Sequence, residues 1–169
     1  MFGFRKKKVE LKEEPIELFS MAENAALKKF AEEIMLKNTD AEKEKLKKAR
    51  VFVAGCSGIG IATVRYLAQF GIGTIGMIDN AFVDKKDVQR QLFAKEQLGR
   101  RKVFLAADAV AASFSNTKVI PSTSRLRNDL AINLLKTYDI FLDCSNDIPT
   151  HYLLSDACIL LKKSVVYAA

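Results

Sequence analysis

From Arg50 to Asp79 the apolar and polar positions fall in the order strand, glycine turn, helix, strand. Val51 to Ala54 is an apolar run without alternation, as a central parallel strand covered on both faces should be. Gly55 ends it. Ile61, Val64, Leu67 and Ala68 recur at helical spacing, Gly71 is the stop, and Thr74 to Ile78 makes the next strand. Upstream, Pro15 can open a helix whose one face carries Phe19, Ala22, Ala26, Leu27, Phe30 and Ile34, with Lys28, Lys29, Glu32 and Glu33 opposite. Asn38 ends that helix, and Thr39-Asp40-Ala41-Glu42 is a capping-box pattern for a second helix through Lys48. Downstream the pattern predicts a helix from Val103 to about Phe114, a strand from Lys118 to Pro121 and a helix from Asp129 to Lys136. The strand Ile140 to Asp143, the helix Pro149 to Leu161 and the strand Val165 to Tyr167 follow. Alternating β and α segments at crossover spacing imply an α/β fold: a three-layer sandwich with a mainly parallel sheet, preceded by N-terminal helices. Residues 1–14 read as a basic tail, 15–48 as the helices and 49–169 as the α/β domain.

Composition adds little to this outline. At 169 residues, 49% hydrophobic and 28% charged, the chain suits one globular domain with a core of ordinary size. Met1 to Lys12 is basic and lacks the apolar stretch of a signal peptide, and no apolar run reaches the length of a membrane span. The three cysteines, Cys56, Cys144 and Cys158, are widely spaced and fit no metal pattern, which favours a reducing, cytoplasmic setting. A formal charge of +7 favours anionic ligands without naming one. The Lys6 to Lys8 run beside Phe2 and Phe4 reads as a solvated tail, and no nucleic-acid partner is expected.

The candidate chemistry sits at the carboxyl edge of the sheet, where ligands bind in open α/β folds. Gly58 and Gly60 fall where the first helix of the sheet begins, so its unpaired backbone N–H groups can hold a phosphate; the alternative is a tight strand-to-helix connection and nothing more. The dinucleotide fingerprint would need glycine at Ser57, which weakens a nicotinamide reading. Asp79, about 20 positions after the turn, is placed to accept from both ribose hydroxyls. After a turn at Val83 to Lys86, Arg90 and Gln91 follow on a short helical segment. Gly99-Arg100-Arg101-Lys102 then opens the next helix, so clustered cations could neutralise a polyphosphate or form an ordinary basic face. His151, the one histidine, reads as a surface or capping residue, and Cys158 as core.

Three stretches together carry a resemblance. N-A-F-V-D-K-K-D-V-Q-R-Q-L-F after Asp79, L-G-R-R-K-V, and the late L-D-C-S-N-D resemble the ThiF/MoeB/HesA superfamily of ATP-dependent adenylyltransferases, relatives of the ubiquitin-activating enzymes. It runs from about Leu46 to Ala169. It implies a Rossmann-like domain with ATP over Gly55, Ser57, Gly58 and Gly60, its ribose on Asp79 and its phosphates on Arg90, Gln91 and Lys102. Arg90 and Lys102 would be the catalytic cations, Asn146 would line the nucleotide, and Asp147 would help hold magnesium. The implied chemistry is attack of a substrate carboxylate on the α-phosphorus of ATP, the substrate being the C-terminus of a ubiquitin-like or sulfur-carrier protein. Five positions depart from the pattern. Ser57 replaces a turn glycine, Ala81 the second acid of Asp-x-Asp, and Asp87 an asparagine. The late Asp-Asn pair is inverted to Asn146-Asp147, and His151 stands for arginine. These changes imply weakened or altered catalysis. The resemblance also stops before the family's acceptor groove, so the expectation is a nucleotide half that needs a partner, in a homodimer or a heterodimer with a homologue. The alternatives are a non-catalytic scaffold or partner subunit of the same fold and, less favoured, an NAD-dependent oxidoreductase.

Overall fold

The computed structural model describes residues 21–90 and 92–168. Helices α1 (Met21–Lys37) and α2 (Asp40–Lys48) lead into β1 (Arg50–Ala54), α3 (Gly58–Gln69) and β2 (Thr74–Ile78). There follow α4 (Lys85–Gln89), a 3-10 turn (Lys95–Gln97), α5 (Lys102–Ser113), β3 (Lys118–Ser122), α6 (Asn128–Leu135), β4 (Ile140–Asp143), α7 (Ile148–Leu161) and β5 (Ser164–Tyr167). The elements expected within the described residues are present, with ends moved by a residue or two. Pro15, Phe19 and the basic tail lie outside the described residues.

All strand pairs are parallel, in the order β3-β2-β1-β4-β5, so β1 is central as its unbroken apolar run requires. Successive side chains of a strand point to opposite faces, and here each face has its own core. Val51 and Val53 join Ile75, Met77, Val64, Val103 and Val110, under α3 and α5. Phe52 and Ala54 join Phe141, Leu135 and Leu154, under α6 and α7. Pro121 sits in β3, where the missing N–H is tolerated because β3 is an edge strand.

Three local fastenings fix the frame. The capping box of α2 forms as its sequence predicts, with Glu42 Oε2 accepting from Thr39 N at 2.7 Å and Thr39 Oγ1 accepting from Glu42 N at 3.3 Å. Of the expected α1 stripe, Ile34 is half-buried and Phe30 exposed but edge-on to Phe70 with centroids 6.4 Å apart, while the buried residue of the helix is Ala31, which was not in that stripe. Lys163, just past the αL residue Lys162 that ends α7, donates to the carbonyls of Leu135 (3.2 Å), Lys136 (2.7 Å) and Tyr138. Its ammonium thereby caps the C-terminal end of α6, where orphan carbonyls and the helix dipole both favour a cation.

The chain runs outward from β1 through β2 to β3, then returns past β1 to place β4 and β5 on the other side. The crevice between the carboxyl ends of β1 and β4 is therefore a topological switch point.

Candidate functional site

At that switch point a cleft of about 250 Å³ opens over the β1–α3 turn. Gly55 has φ +95°, and a Cβ there would lie 2.7 Å from the Cys144 carbonyl oxygen, so glycine is required by both conformation and space. A Cβ on Gly60 would lie 2.0 Å from the Gly55 carbonyl oxygen, which binds the first turn of α3 tightly against the loop. Gly58 differs, because nothing lies within 4 Å of its would-be Cβ. Ser57 is the N-cap in extended geometry and makes no side-chain cap bond, so the start of α3 is left uncapped from the cleft side.

Asp79 follows β2 and borders the same cleft. Its Oδ2 accepts from Cys56 N at 2.7 Å and its Oδ1 from Ala81 N at 2.6 Å, so the carboxylate ties the glycine turn to the segment leaving β2. Each oxygen keeps a second lone pair for a ligand hydroxyl. Across the cleft, Asn146 is exposed and Asp147 is the N-cap of α7, with Oδ2 accepting from Thr150 Oγ1 at 2.6 Å and Thr150 N at 3.2 Å. Among the described residues no three His, Cys, Asp or Glu side chains gather as a metal cluster. A magnesium ion held mainly by phosphates and waters needs only one or two carboxylates, and the remaining oxygen of Asp147 fits that modest role.

The cations lie elsewhere. Arg90 is the exposed C-cap residue of α4, just past the helix and outside the cleft lining. Lys102, the first residue of α5, is buried, and its Nζ lies 2.8 Å from Oδ1 of the equally buried Asp87. Arg101 is committed to structure, its guanidinium 3.8 Å from the Phe82 ring centroid and bonded to the Asn80 carbonyl. Gln91 lies outside the described residues. Burial pushes the Cys56 thiol far up, Asp79 and Cys144 add to the shift, and only Lys102 opposes it. A thiol buried and raised in this way is no nucleophile.

Two arrangements were not foreseen. Asp143, at the end of β4, is 3% exposed. Its Oδ1 accepts from Ser145 N (3.0 Å) and Ser145 Oγ (2.6 Å), while Oδ2 lies 3.2 Å from His151 Nδ1. The imidazole also lies against Tyr167, with centroids 4.0 Å apart and the ring planes tilted by 41°, so His151 is at the surface, as expected, but held from two sides. The loop after β3 adds Ser124, Arg125 and Leu126 to the cleft. The signal for that loop was available, since any segment following a parallel strand emerges at the carboxyl edge.

Residues 30–169 match the ThiF family. The chain is 38% identical over 126 residues to the adenylyltransferase and sulfurtransferase MOCS3 of Bos taurus, covering 74% of this chain and 28% of that protein. Against the Danio rerio MOCS3 it is 31% identical over 157 residues, covering 92% and 34%. The chain thus spans about a third of the length of these relatives. Among solved structures, E. coli tRNA N6-threonylcarbamoyladenosine dehydratase, TcdA, superposes with a TM-score of 0.73 at 22% identity, covering 85% of this chain and 61% of TcdA. E. coli MccB crystallised with ATP superposes at 0.65 and 24% identity, covering 75% and 38%.

Proposed function

The chain belongs to the ThiF family, and from that premise we propose that it binds ATP with magnesium in the cleft over the β1–α3 turn and serves adenylation of a protein carboxylate. The observation that carries this reading is the joining of Gly55, Asp79 and Asp147 around one cleft at the switch point. TcdA and MccB, whose fold it shares, have both been crystallised with ATP. The MOCS3 relatives are named adenylyltransferases and sulfurtransferases, which fits the ubiquitin-like or sulfur-carrier acceptor that the motif resemblance implies.

In this reading the ribose hydroxyls donate to the free lone pairs of Asp79, and the phosphates approach the uncapped start of α3 through Gly58. A carboxylate oxygen of the acceptor attacks the α-phosphorus. The bond from that phosphorus to the bridging oxygen breaks, leaving an acyl adenylate and pyrophosphate. Arg90 and Lys102 stabilise charge as it moves onto the leaving pyrophosphate. Magnesium, when bound beside Asp147, neutralises phosphate charge. Arg90 reaches the phosphates only if it swings from its exposed position past α4. Gln91 and Asn146 complete the contacts expected around the nucleotide.

Adenylation also needs the carboxylate held in line with the α-phosphorus, and such positioning supplies about 7 to 11 kcal/mol when complete. We assign that task to a partner surface, with α1 and its Phe30 side the contact for a homodimer or a homologous subunit. No helix among the described residues is long and apolar enough to cross a membrane. Three free, buried cysteines suit a reducing cytoplasmic setting.

Titration calorimetry with ATP·Mg, AMP and NAD, followed by ATP–pyrophosphate exchange with carrier proteins ending in Gly-Gly, tests the reading. The expected result is binding of both adenine nucleotides, no preference for NAD, and little exchange by the purified chain alone. Tight NAD binding without ATP binding refutes it. Robust exchange by the chain alone removes the need for a partner. A second reading, a non-catalytic partner subunit, is favoured by one observation: Lys102 is already engaged by Asp87. Binding without exchange under every pairing with a homologue would select it.

A further inference from the structure

Among the described residues that line the cleft, Arg125 is the one lysine or arginine. It is exposed, and no hydrogen bond, ion pair or ring contact among the described residues engages it, whereas Lys102 is bound to Asp87 and Arg101 to Phe82 and Asn80. The loop that carries Arg125 is held beside Asp79. Asp79 N donates to the Ser122 carbonyl at 3.1 Å and Ser124 N to Ser122 Oγ at 3.3 Å, so the chain turns at the end of β3 next to that acid. Leu126 is half-buried against the core under α6 and α7 and gives the same wall of the cleft an apolar side. The strand order then decides which part of a nucleotide meets this wall. With the ribose at Asp79 after β2 and the phosphates between the β1–α3 turn and Asp147 after β4, the base leaves the ribose on the side away from β1, and the strand there is β3.

We propose that Arg125 is a specificity-determining residue that binds the nucleotide base, its guanidinium stacked on the face of a purine, and that it sets a preference for purine over pyrimidine nucleotides. This rests on the ATP reading given above. A base brings to the wall a flat, uncharged ring, and a guanidinium is the cation suited to one, being planar, weakly hydrated and able to stack on a π-face. The larger face of a purine covers more of the guanidinium and of Leu126, so a pyrimidine forfeits part of the contact. The contact takes no part in holding the phosphates, so adenosine, AMP and ATP gain from it equally.

The test is calorimetry with adenosine, AMP, ATP·Mg and CTP·Mg on the full chain and on Arg125→Ala, Arg125→Lys and Arg125→Tyr. The side chain is exposed and unengaged, so all three variants should keep the melting temperature of the parent. Arg125→Ala should weaken adenosine, AMP and ATP by the same factor, about tenfold, and weaken CTP less. Arg125→Lys keeps the charge without the plane and should not restore binding, whereas Arg125→Tyr keeps a plane without the charge and should bind ATP within about threefold of the parent. A loss confined to ATP, or recovery by lysine and not by tyrosine, would show a charge acting on phosphate and overturns the proposal. Unchanged affinities in Arg125→Ala overturn it too, as does a parent that binds CTP as tightly as ATP. Failure of the unaltered chain to bind AMP or ATP refutes the ATP reading itself, and is thereby distinct from an unchanged affinity in the variant.

Discussion

Replacing Gly58 and Gly60 by alanine should separate what the β1–α3 turn does for folding from what it does for a ligand. The two residues are two positions apart in the first turn of α3, and both would gain from the better helix propensity of alanine, by up to about 1 kcal/mol. Their surroundings are opposite. The added methyl of Gly58→Ala meets nothing within 4 Å, so that variant should be as stable as the parent or slightly more so. The methyl of Gly60→Ala would start 2.0 Å from the Gly55 carbonyl oxygen, about 1 Å inside the closest approach real side chains show. That oxygen belongs to backbone held by Gly55 N donating to the Ile78 carbonyl at 2.9 Å, so neither side can retreat without opening the turn. Overpacking of this kind costs about 1 to 3 kcal/mol, enough to outweigh the propensity gain. Urea unfolding followed by circular dichroism gives the midpoint for each, with the m-value as the check that the denatured state is unchanged. In parallel, Gly58→Ala should weaken ATP binding by narrowing the approach to the helix start, without loss of stability. Equal midpoints for the two variants would refute the packing argument, and unaltered ATP affinity in Gly58→Ala would refute the placement of phosphate.

Asp79→Asn keeps the shape but offers one acceptor oxygen where two are used, so it should lower stability by about 1 to 3 kcal/mol and weaken AMP and ATP alike; a loss confined to ATP would contradict the ribose assignment. Lys163→Met removes the cation from the C-terminal end of α6 and should lower the unfolding free energy by about 2 kcal/mol by denaturant titration, while no change would show the cap to be idle. The Cys56 thiol is held far above its unfolded value of about 8.5. Its contribution to stability is complete below that pH and is lost as pH rises, because the unfolded chain then gives up a proton that the folded chain retains. Stability should fall above about pH 8.5 with a slope approaching 1.4 kcal/mol per pH unit, and Cys56→Ala should flatten that slope; an identical slope in the variant would refute the assignment.

The frame was legible because its signals are local. Val51 to Ala54 reads as a doubly covered strand from four adjacent residues, and the box from Thr39 to Glu42 needs only a spacing of three. Gly55 and Asp79 were legible for a related reason, each standing at the end of a recognisable strand. The pairing of Asp87 with Lys102 spans 15 positions and depends on the chain doubling back between Phe82 and Arg101, which no periodicity encodes. Asp143 and His151 are eight apart, but one ends a strand and the other lies inside a helix, so only the intervening loop decides whether they meet. Arg125 reaches the cleft through the topology, and its basic neighbours Arg127 and Lys136 gave the sequence no reason to single it out. Arg90 shows the converse. The Q-R-Q motif marks it clearly, while its exposed place past α4 leaves it outside the cleft lining.

The double tether of Asp79 bears on how such a chain can change over generations. An acid that stitches the glycine turn to the loop after β2 is retained by selection for folding alone, whether or not a nucleotide is ever bound. Gly55 and Gly60 are under the same constraint, since any side chain there collides with backbone. Arg90 and Asn146, both exposed, have no comparable side-chain bond among the described residues to defend them. A lineage that relaxed its chemistry would therefore shed the proposed phosphate and metal contacts first and keep the proposed ribose corner nearly intact. The survival of that corner in any one descendant measures the fold's needs, and its catalytic history is written at the exposed positions instead.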